Sequence, residues 1–180
     1  MTDKTFQIRL IPLSTDHHGT LLQEVYANTP TYWAMYNMLT APNGQAERDL
    51  VEAGETAGRT MMGIVKPVEA GNPEAGGEMI GMVDFRLHWP DKQMAYIGMV
   101  MVAEAFQRQG LGTQAWHLLE PWLATAAGIS KVRIGVEQFN TGAMAFFHRL
   151  GFIMTGEANR IKVGEKMVRL LYMEQEIGSG

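Results

Sequence analysis

The residues with the clearest chemical purpose in this chain are Gln107-Arg108-Gln109-Gly110-Leu111-Gly112-Thr113, which join an apolar, strand-like run from Tyr96 to Val102 to a helix-like run from Thr113 to Ala127. Glycines at 110 and 112 let the backbone approach a ligand without obstruction. The helix that starts there offers unpaired N–H groups and the positive end of its dipole to an anion. Arg108 adds a mobile positive charge beside those amides. The chemistry implied is the holding of phosphate. The alternative is a plain strand-to-helix connection that needs glycine only for its geometry.

A second block lies downstream, Val132-Arg133-Ile134-Gly135-Val136-Glu137-Gln138-Phe139-Asn140, followed by Thr141-Gly142-Ala143-Met144-Ala145-Phe146-Phe147-His148-Arg149-Leu150-Gly151-Phe152. In this order and separation the two blocks resemble the GNAT superfamily of acetyltransferases. Its pyrophosphate loop reads Gln/Arg-x-x-Gly-x-Gly/Ala, and its next strand leads to Asn and a short helix ending in Leu-Gly-Phe. The resemblance is specific over residues 78–155. It implies an α/β (α+β) fold, a mixed, mostly antiparallel twisted sheet as a single layer between helices. It also implies acetyl-CoA as co-substrate and no metal.

Carried over by position, the resemblance gives Val100, Met101 and Val102 to the backbone pairing of the pantetheine arm, a β-augmentation by a small molecule. Gln107, Arg108, Gln109, Gly110, Leu111, Gly112 and Thr113 fall to the pyrophosphate. Asn140 would bond the arm from the opposite side; as an N-cap for the helix from Thr141 it has a second reading that does not exclude the first. The family often places its proton-donating Tyr where this chain has Phe147, here a position against the coenzyme with no proton to give. A glutamate that some members carry on the strand before Asn140 falls at Gly135. Both usual catalytic positions are therefore silent, although a thiol with a pKa near 8.5 can leave without an acid.

Replacement bases are Asp84, Glu104 and Glu137, with Asp84 preferred. It lies inside the apolar run Met79-Ile80-Gly81-Met82-Val83-Asp84-Phe85, where a carboxylate is expensive to bury without a partner or a role. A salt bridge to Arg59 or Arg86 is the competing explanation. Tyr32, Trp33, Tyr36 and Trp89, with Tyr96, supply aromatic faces for a cationic amine, or else core or dimer contacts. The five histidines lack ligand spacing, so no metal site is expected.

Around these residues the pattern predicts a strand over Phe6–Pro12, a helix over Asp16–Tyr26 capped by Ser14 or Thr15, a short helix within Thr31–Leu39, and another over Ala46–Ala53. Arg59–Val68 and Glu78–His88 read as a hairpin about the loop 69–77, with Pro67 placing the first strand toward an edge or bulge. Gln93–Ala103 is the strand feeding the phosphate loop. The helix after it buries one face, with Trp116 and Trp122 in the core, a kink or break at Glu120 because of Pro121, and an end at Gly128.

A chain of 180 residues with 46% hydrophobic content suits one domain, 1–180. No apolar run has the length of a signal or membrane segment, and the chain reads as cytoplasmic. Zero cysteines exclude disulfides, thiolate metal sites and a cysteine nucleophile. A net charge of −4 argues against a nucleic-acid surface and for a cationic or neutral small substrate. Fourteen methionines serve as core filler or line a flexible pocket. The expected activity is acetyl transfer to the primary amine of a small molecule, with no nucleic-acid or membrane partner and a homodimer plausible. Alternatives are a catalytically weak acyl-CoA-binding or regulatory module, an N-terminal protein acetyltransferase, and a domain binding another phosphate ligand.

Overall fold

A computed structural model describes residues 7–68, 76–163 and 165–178. Phe6, where the first strand was expected to begin, and most of the loop 69–77 lie outside the described residues. The chain divides into two compact units, Met1–Asp84 with Met99–Leu119, and Phe85–Gly98 with Glu120–Gly180. Among the described residues seven strands form one sheet in the order β1-β2-β3-β4-β5-β7-β6, mostly antiparallel and flanked by helices.

In the first unit, β1 (Arg9–Pro12) pairs antiparallel with β2 (Arg59–Pro67). Two helices follow β1. In α1 (Thr15–Ala27) the residues Leu22, Val25 and Tyr26 are buried, and in α3 (Gln45–Glu55) Ala46, Leu50 and Ala53 are, each set at the three- and four-residue spacing of one helix face. Ser14 stands at the N-cap of α1, where its carbonyl accepts the His18 N–H at 3.1 Å but its side chain caps no helix amide; its own N–H donates to His18 Nδ1 at 3.0 Å. Between these helices α2 (Pro30–Ala34) is only five residues long, shorter than the aromatic run suggests, with Pro30 at its first position, where a missing N–H costs nothing. The core here joins Leu22, Val25, Tyr26, Trp33, Leu50, Met61, Met82 and Met101.

Along β3 (Gly77–Leu87) every residue from Ile80 to Phe85 is buried, the mark of a strand covered on both faces. Pro67 ends β2 rather than lying on a sheet edge, since β2 stands between β1 and β3 and its final residue can forgo a ladder bond.

The second unit carries the parallel ladder of β4 (Met94–Val102) with β5 (Lys131–Glu137), which runs from Met94↔Lys131 to Ile97↔Ile134. Parallel neighbours need a crossover, here supplied by α4 (Leu111–Thr125). Pro121 sits inside α4, and the helix is not broken at Glu120: one lost hydrogen bond, at the His117 carbonyl, is tolerated within fifteen residues. Trp116 is buried, but Trp122 is 43% exposed and touches Phe85 edge-on at 6.0 Å, so only one of the two tryptophans is a core residue. Gly128, at φ +67°, follows the helix end. Beyond α5 (Thr141–Arg149), β6 (Ile153–Val163) and β7 (Lys166–Glu176) form an antiparallel pair, with β7 also antiparallel to β5. Neither strand was anticipated.

Gly81 is where β3 comes closest to neighbouring backbone. A Cβ there would run into the Met101 carbonyl oxygen and lie 3.1 Å from Ile64 Cδ1 and 3.2 Å from Val102 Cα. Backbone cannot yield as a side-chain tip can, so Gly81→Ala is expected to cost about 3 kcal/mol. The measurement is the urea midpoint; a loss below about 0.5 kcal/mol would show that the strands part at no cost.

Candidate functional site

In the first unit β4 ends at Val102, and Ala103 N–H donates to the Ile80 carbonyl at 2.8 Å, which fixes the strand end against β3. A 3₁₀ turn, Glu104–Phe106, leads into the glycine loop. Gln107 and Gln109 turn back on the loop itself: Gln107 Nε2 donates to the Val102 carbonyl at 2.7 Å and Gln109 Nε2 to the Ala105 carbonyl at 3.0 Å. Arg108 and Gly110 both have left-handed backbone, φ +60° and +77°. Glycine takes that conformation freely, whereas at Arg108 it is a strained turn of the kind found where backbone groups face a ligand.

Leu111, 2% exposed, anchors the first turn of α4, while residues 107–110 stay exposed. The hydrogen bonding of α4 opens with Gln114 N–H donating to the Gly110 carbonyl at 3.0 Å, so the amides before it lie ahead of the helical ladder. A Cβ on Gly110 would meet nothing within 4 Å, which leaves the space over the loop open. Left-handed turns, leading amides, Arg108 and no acidic side chain from 107 to 113 make a donor set that fits a pyrophosphate. Lys66 Nζ, 5.5 Å from the Phe106 ring centroid, adds a cation beside the 3₁₀ turn.

Asp84 belongs to the same unit and is held by Arg59: Nε donates to Oδ1 at 3.1 Å and Nη2 to Oδ2 at 2.7 Å. Arg59 also meets Glu52 at 3.2 Å. The ion pair weighed against catalysis is thus what the geometry contains, with both carboxylate oxygens taken up by one guanidinium. Trp33 is buried, its Nε1–H donating to the Tyr26 carbonyl at 2.8 Å, so its role is packing. Tyr32 stands half-buried with its ring 5.2 Å from Trp33 and 5.5 Å from Tyr36, leaving this aromatic group the surface of the segment. The Tyr26 hydroxyl donates to Asp49 Oδ2 at 2.8 Å, and burial first, then the Asp49 charge, pushes its pKa far up.

In the second unit Asn140 Oδ1 accepts the Ala143 N–H at 3.1 Å and its Nδ2 donates to Glu137 at 3.4 Å, which is the helix-capping reading. Phe147 is buried between Phe146 and Phe152, ring centroids 5.0 and 5.3 Å away. Trp89 lies edge-on to Tyr96 at 5.1 Å, with the Arg86 guanidinium 5.2 Å over its ring. Tyr96 is the residue that sequence reasoning undervalued. Its hydroxyl lies 2.7 Å from where a Cβ on Gly135 would stand, and burial pushes its pKa up to about 12. No spacing rule relates residues 96 and 135, so only the fold exposes the pair. Among the described residues no cluster of His, Cys, Asp or Glu could hold a metal ion, and no helix is long and apolar enough to cross a membrane.

The family model described as the acetyltransferase (GNAT) family matches residues 32–152, and the chain belongs to that family. None of the curated proteins matches it. Among solved structures it is similar to an acetyltransferase from Thermus thermophilus, at 24% identity, TM-score 0.72, covering 96% of this chain and 99% of that one. It is also similar to the PaiA N-acetyltransferase of Thermoplasma acidophilum, solved in complex with coenzyme A, at 14% identity, TM-score 0.62, covering 94% and 98%. A third is RimL, a ribosomal L7/L12 alpha-N-protein acetyltransferase also in complex with coenzyme A, at 17% identity, TM-score 0.72, covering 97% and 96%. At these identities the likeness is one of fold.

Two outcomes follow from the geometry. Asp84→Asn strands Arg59 in a mostly buried position and is expected to lower stability by about 3 kcal/mol, with coenzyme affinity within about twofold of wild type. Lost turnover with unchanged stability would instead restore Asp84 as a base. The raised pKa values of Tyr26 and Tyr96 mean that the folded state favours the neutral phenols. Their contribution to stability is whole below about pH 10 and falls as pH rises toward the folded values. At about pH 11, tyrosinate absorbance near 295 nm should therefore rise further on unfolding; no difference between folded and unfolded chain would contradict both shifts.

Proposed function

We propose that the chain is an acetyl-CoA-dependent N-acetyltransferase that acetylates the primary amine of a small molecule. One observation carries this reading above all: the open run of loop amides at Arg108–Gly112, directly after the strand whose Val100–Val102 backbone would take a peptide-like arm. Family membership and two fold neighbours solved with coenzyme A support it. The β4–β5 ladder has only four register pairs although the strands are 9 and 7 residues long, which fits a strand that gives part of its backbone to a ligand.

In the reaction the neutral amine nitrogen attacks the thioester carbonyl, a C–N bond forms, and the C–S bond breaks. The ammonium proton passes to water and the sulfur leaves as thiolate. With Phe147 and Gly135 at the positions where the resemblance would put an acid and a base, the protein's contribution is mainly positioning. A thiolate whose conjugate acid has a pKa near 8.5 is a good enough leaving group for that to suffice. The net charge of −4 favours approach of a cationic amine, which must shed a proton before it attacks. Two silent catalytic positions favour, as second reading, an acyl-CoA-binding module of low turnover. A peptide α-amine, the acceptor type of the RimL neighbour, is the competing substrate class.

Thermal unfolding with acetyl-CoA, CoA and ATP tests the coenzyme assignment. At a hundredfold excess over the dissociation constant either CoA species should stabilise the fold by about 2.7 kcal/mol, with no effect of ATP. Gly110→Glu, which puts a carboxylate in front of the loop amides, should abolish the shift. No shift in wild type would remove the assignment. Given a shift, thiol release with an amine panel separates an enzyme from a binding module, and peptides with free N-termini in that panel separate the two substrate classes.

A further inference from the structure

The turn that launches α2 is fastened to the end of β4 and to the residues just before the glycine loop. Thr29, 2% exposed, donates its hydroxyl to the Tyr26 carbonyl at 2.8 Å and lies 3.1 Å from the Met101 sulfur. Glu104 N–H donates to the Asn28 carbonyl at 2.9 Å, and Glu104 Oε1 accepts the Thr31 N–H at 2.8 Å. Pro30 has no N–H, so the Thr31 amide is the first donor of α2, and the N-cap side chain, Thr29, does not serve it. On its other side Glu104 offers its carbonyl to the Gln107 N–H at 3.2 Å. One residue thus receives the first amide of the glycine loop on its backbone and the first amide of α2 on its side chain.

Burial does not account for this arrangement, because Glu104 is exposed. The bonds from Thr31 hold its carboxyl below the usual range, so at neutral pH the side chain is a charged acceptor. A five-residue helix does not hold itself in water, so α2 is ordered by what its residues touch. Those contacts include the Trp33 indole on the Tyr26 carbonyl, the packing of Trp33 against Tyr26, and the Glu104 clamp.

We infer that Glu104 is a positioning residue that couples the coenzyme loop to the aromatic segment Tyr32–Tyr36, so that an anion on the loop amides orders that segment. This rests on the coenzyme reading of the loop. An anion restrains the Gln107–Gly112 backbone, the Gln107 amide restrains the 3₁₀ turn, and the carboxylate of that turn passes the restraint to Thr31. Coupling of this kind needs no displacement, since one binding event lowers the ordering cost of the next.

Hydrogen exchange of the full chain, with and without saturating CoA, reads the coupling without any acceptor amine. In wild type CoA should slow exchange about tenfold both in the loop peptide and in the peptide covering Thr31–Tyr36. Glu104→Ala should keep the slowing at the loop and reduce that at Thr31–Tyr36 to less than about twofold. Glu104→Gln, whose amide oxygen still accepts the Thr31 N–H, should restore most of it. If Glu104→Ala speeds exchange at Thr31–Tyr36 while leaving the response to CoA intact, the residue is merely structural and the inference is overturned. A wild-type loop that responds to CoA without any response at Thr31–Tyr36 overturns it as well. Absence of any CoA effect on wild type marks failure of the coenzyme reading, and the coupling falls with it.

Discussion

The approach of β3 to β4 at Gly81 is the constraint on which the geometry of the first unit depends. With no side chain at 81, the β3 backbone reaches the Met101 carbonyl and the Val102 Cα. Met101 is thereby placed with its sulfur against Thr29, and Ala103 N–H meets the Ile80 carbonyl. The strand end is then defined before the chain enters the 3₁₀ turn, and the Gln107 side chain returns to Val102 to set the start of the loop. A loop that offers backbone amides has no side-chain rotamer to adjust its aim. Its accuracy is that of its two supports, the end of β4 and the buried Leu111 at the head of α4.

Charge inside this unit is organised around Arg59. Its guanidinium satisfies Asp84 in the apolar strand and reaches Glu52, and the two carboxylates in turn hold the Arg59 pKa up. Tyr26 and Gln45 meet the two oxygens of Asp49. A carboxylate inside a continuous apolar run needs a partner, and the two-pronged arginine supplies it. Asp84 and Asp49 are therefore both committed to the fold.

The strand-loop-helix at 96–127 was legible because three independent local signals coincide there: an apolar run, glycines at the turn, and a helical spacing that resumes at Leu111. β5 was legible for a similar reason, with Val132, Ile134 and Val136 buried in strict alternation. In β6 nearly every residue is exposed, so neither face writes an apolar stripe into the sequence, and the Met154/Ala158 register shift about Gly156 interrupts what pattern remains. At Trp122 helical spacing pointed to the core although the ring sits at its margin, because a spacing rule fixes a direction around the helix axis and not a depth. The Glu104–Thr31 clamp joins residues 73 positions apart, beyond any periodicity. Asp84 was recognisable as anomalous from sequence; which arginine would answer it was not.

The silent position at Gly135 looks different once Tyr96 is placed. With the phenol oxygen 2.7 Å from the site of a Cβ, residues 96 and 135 represent a single choice, and any larger side chain at 135 must displace the ring. A glutamate there, as the family resemblance would allow, and Tyr96 in its present pose exclude one another. Where the resemblance would allow a carboxylate, charged at neutral pH, the chain has instead a phenol whose pKa of about 12 keeps it protonated and able to donate a hydrogen bond. Within the second unit that choice leaves a neutral hydroxyl rather than a charge beside β5, and restoring a carboxylate at 135 requires the Tyr96 ring to leave its contact with Trp89.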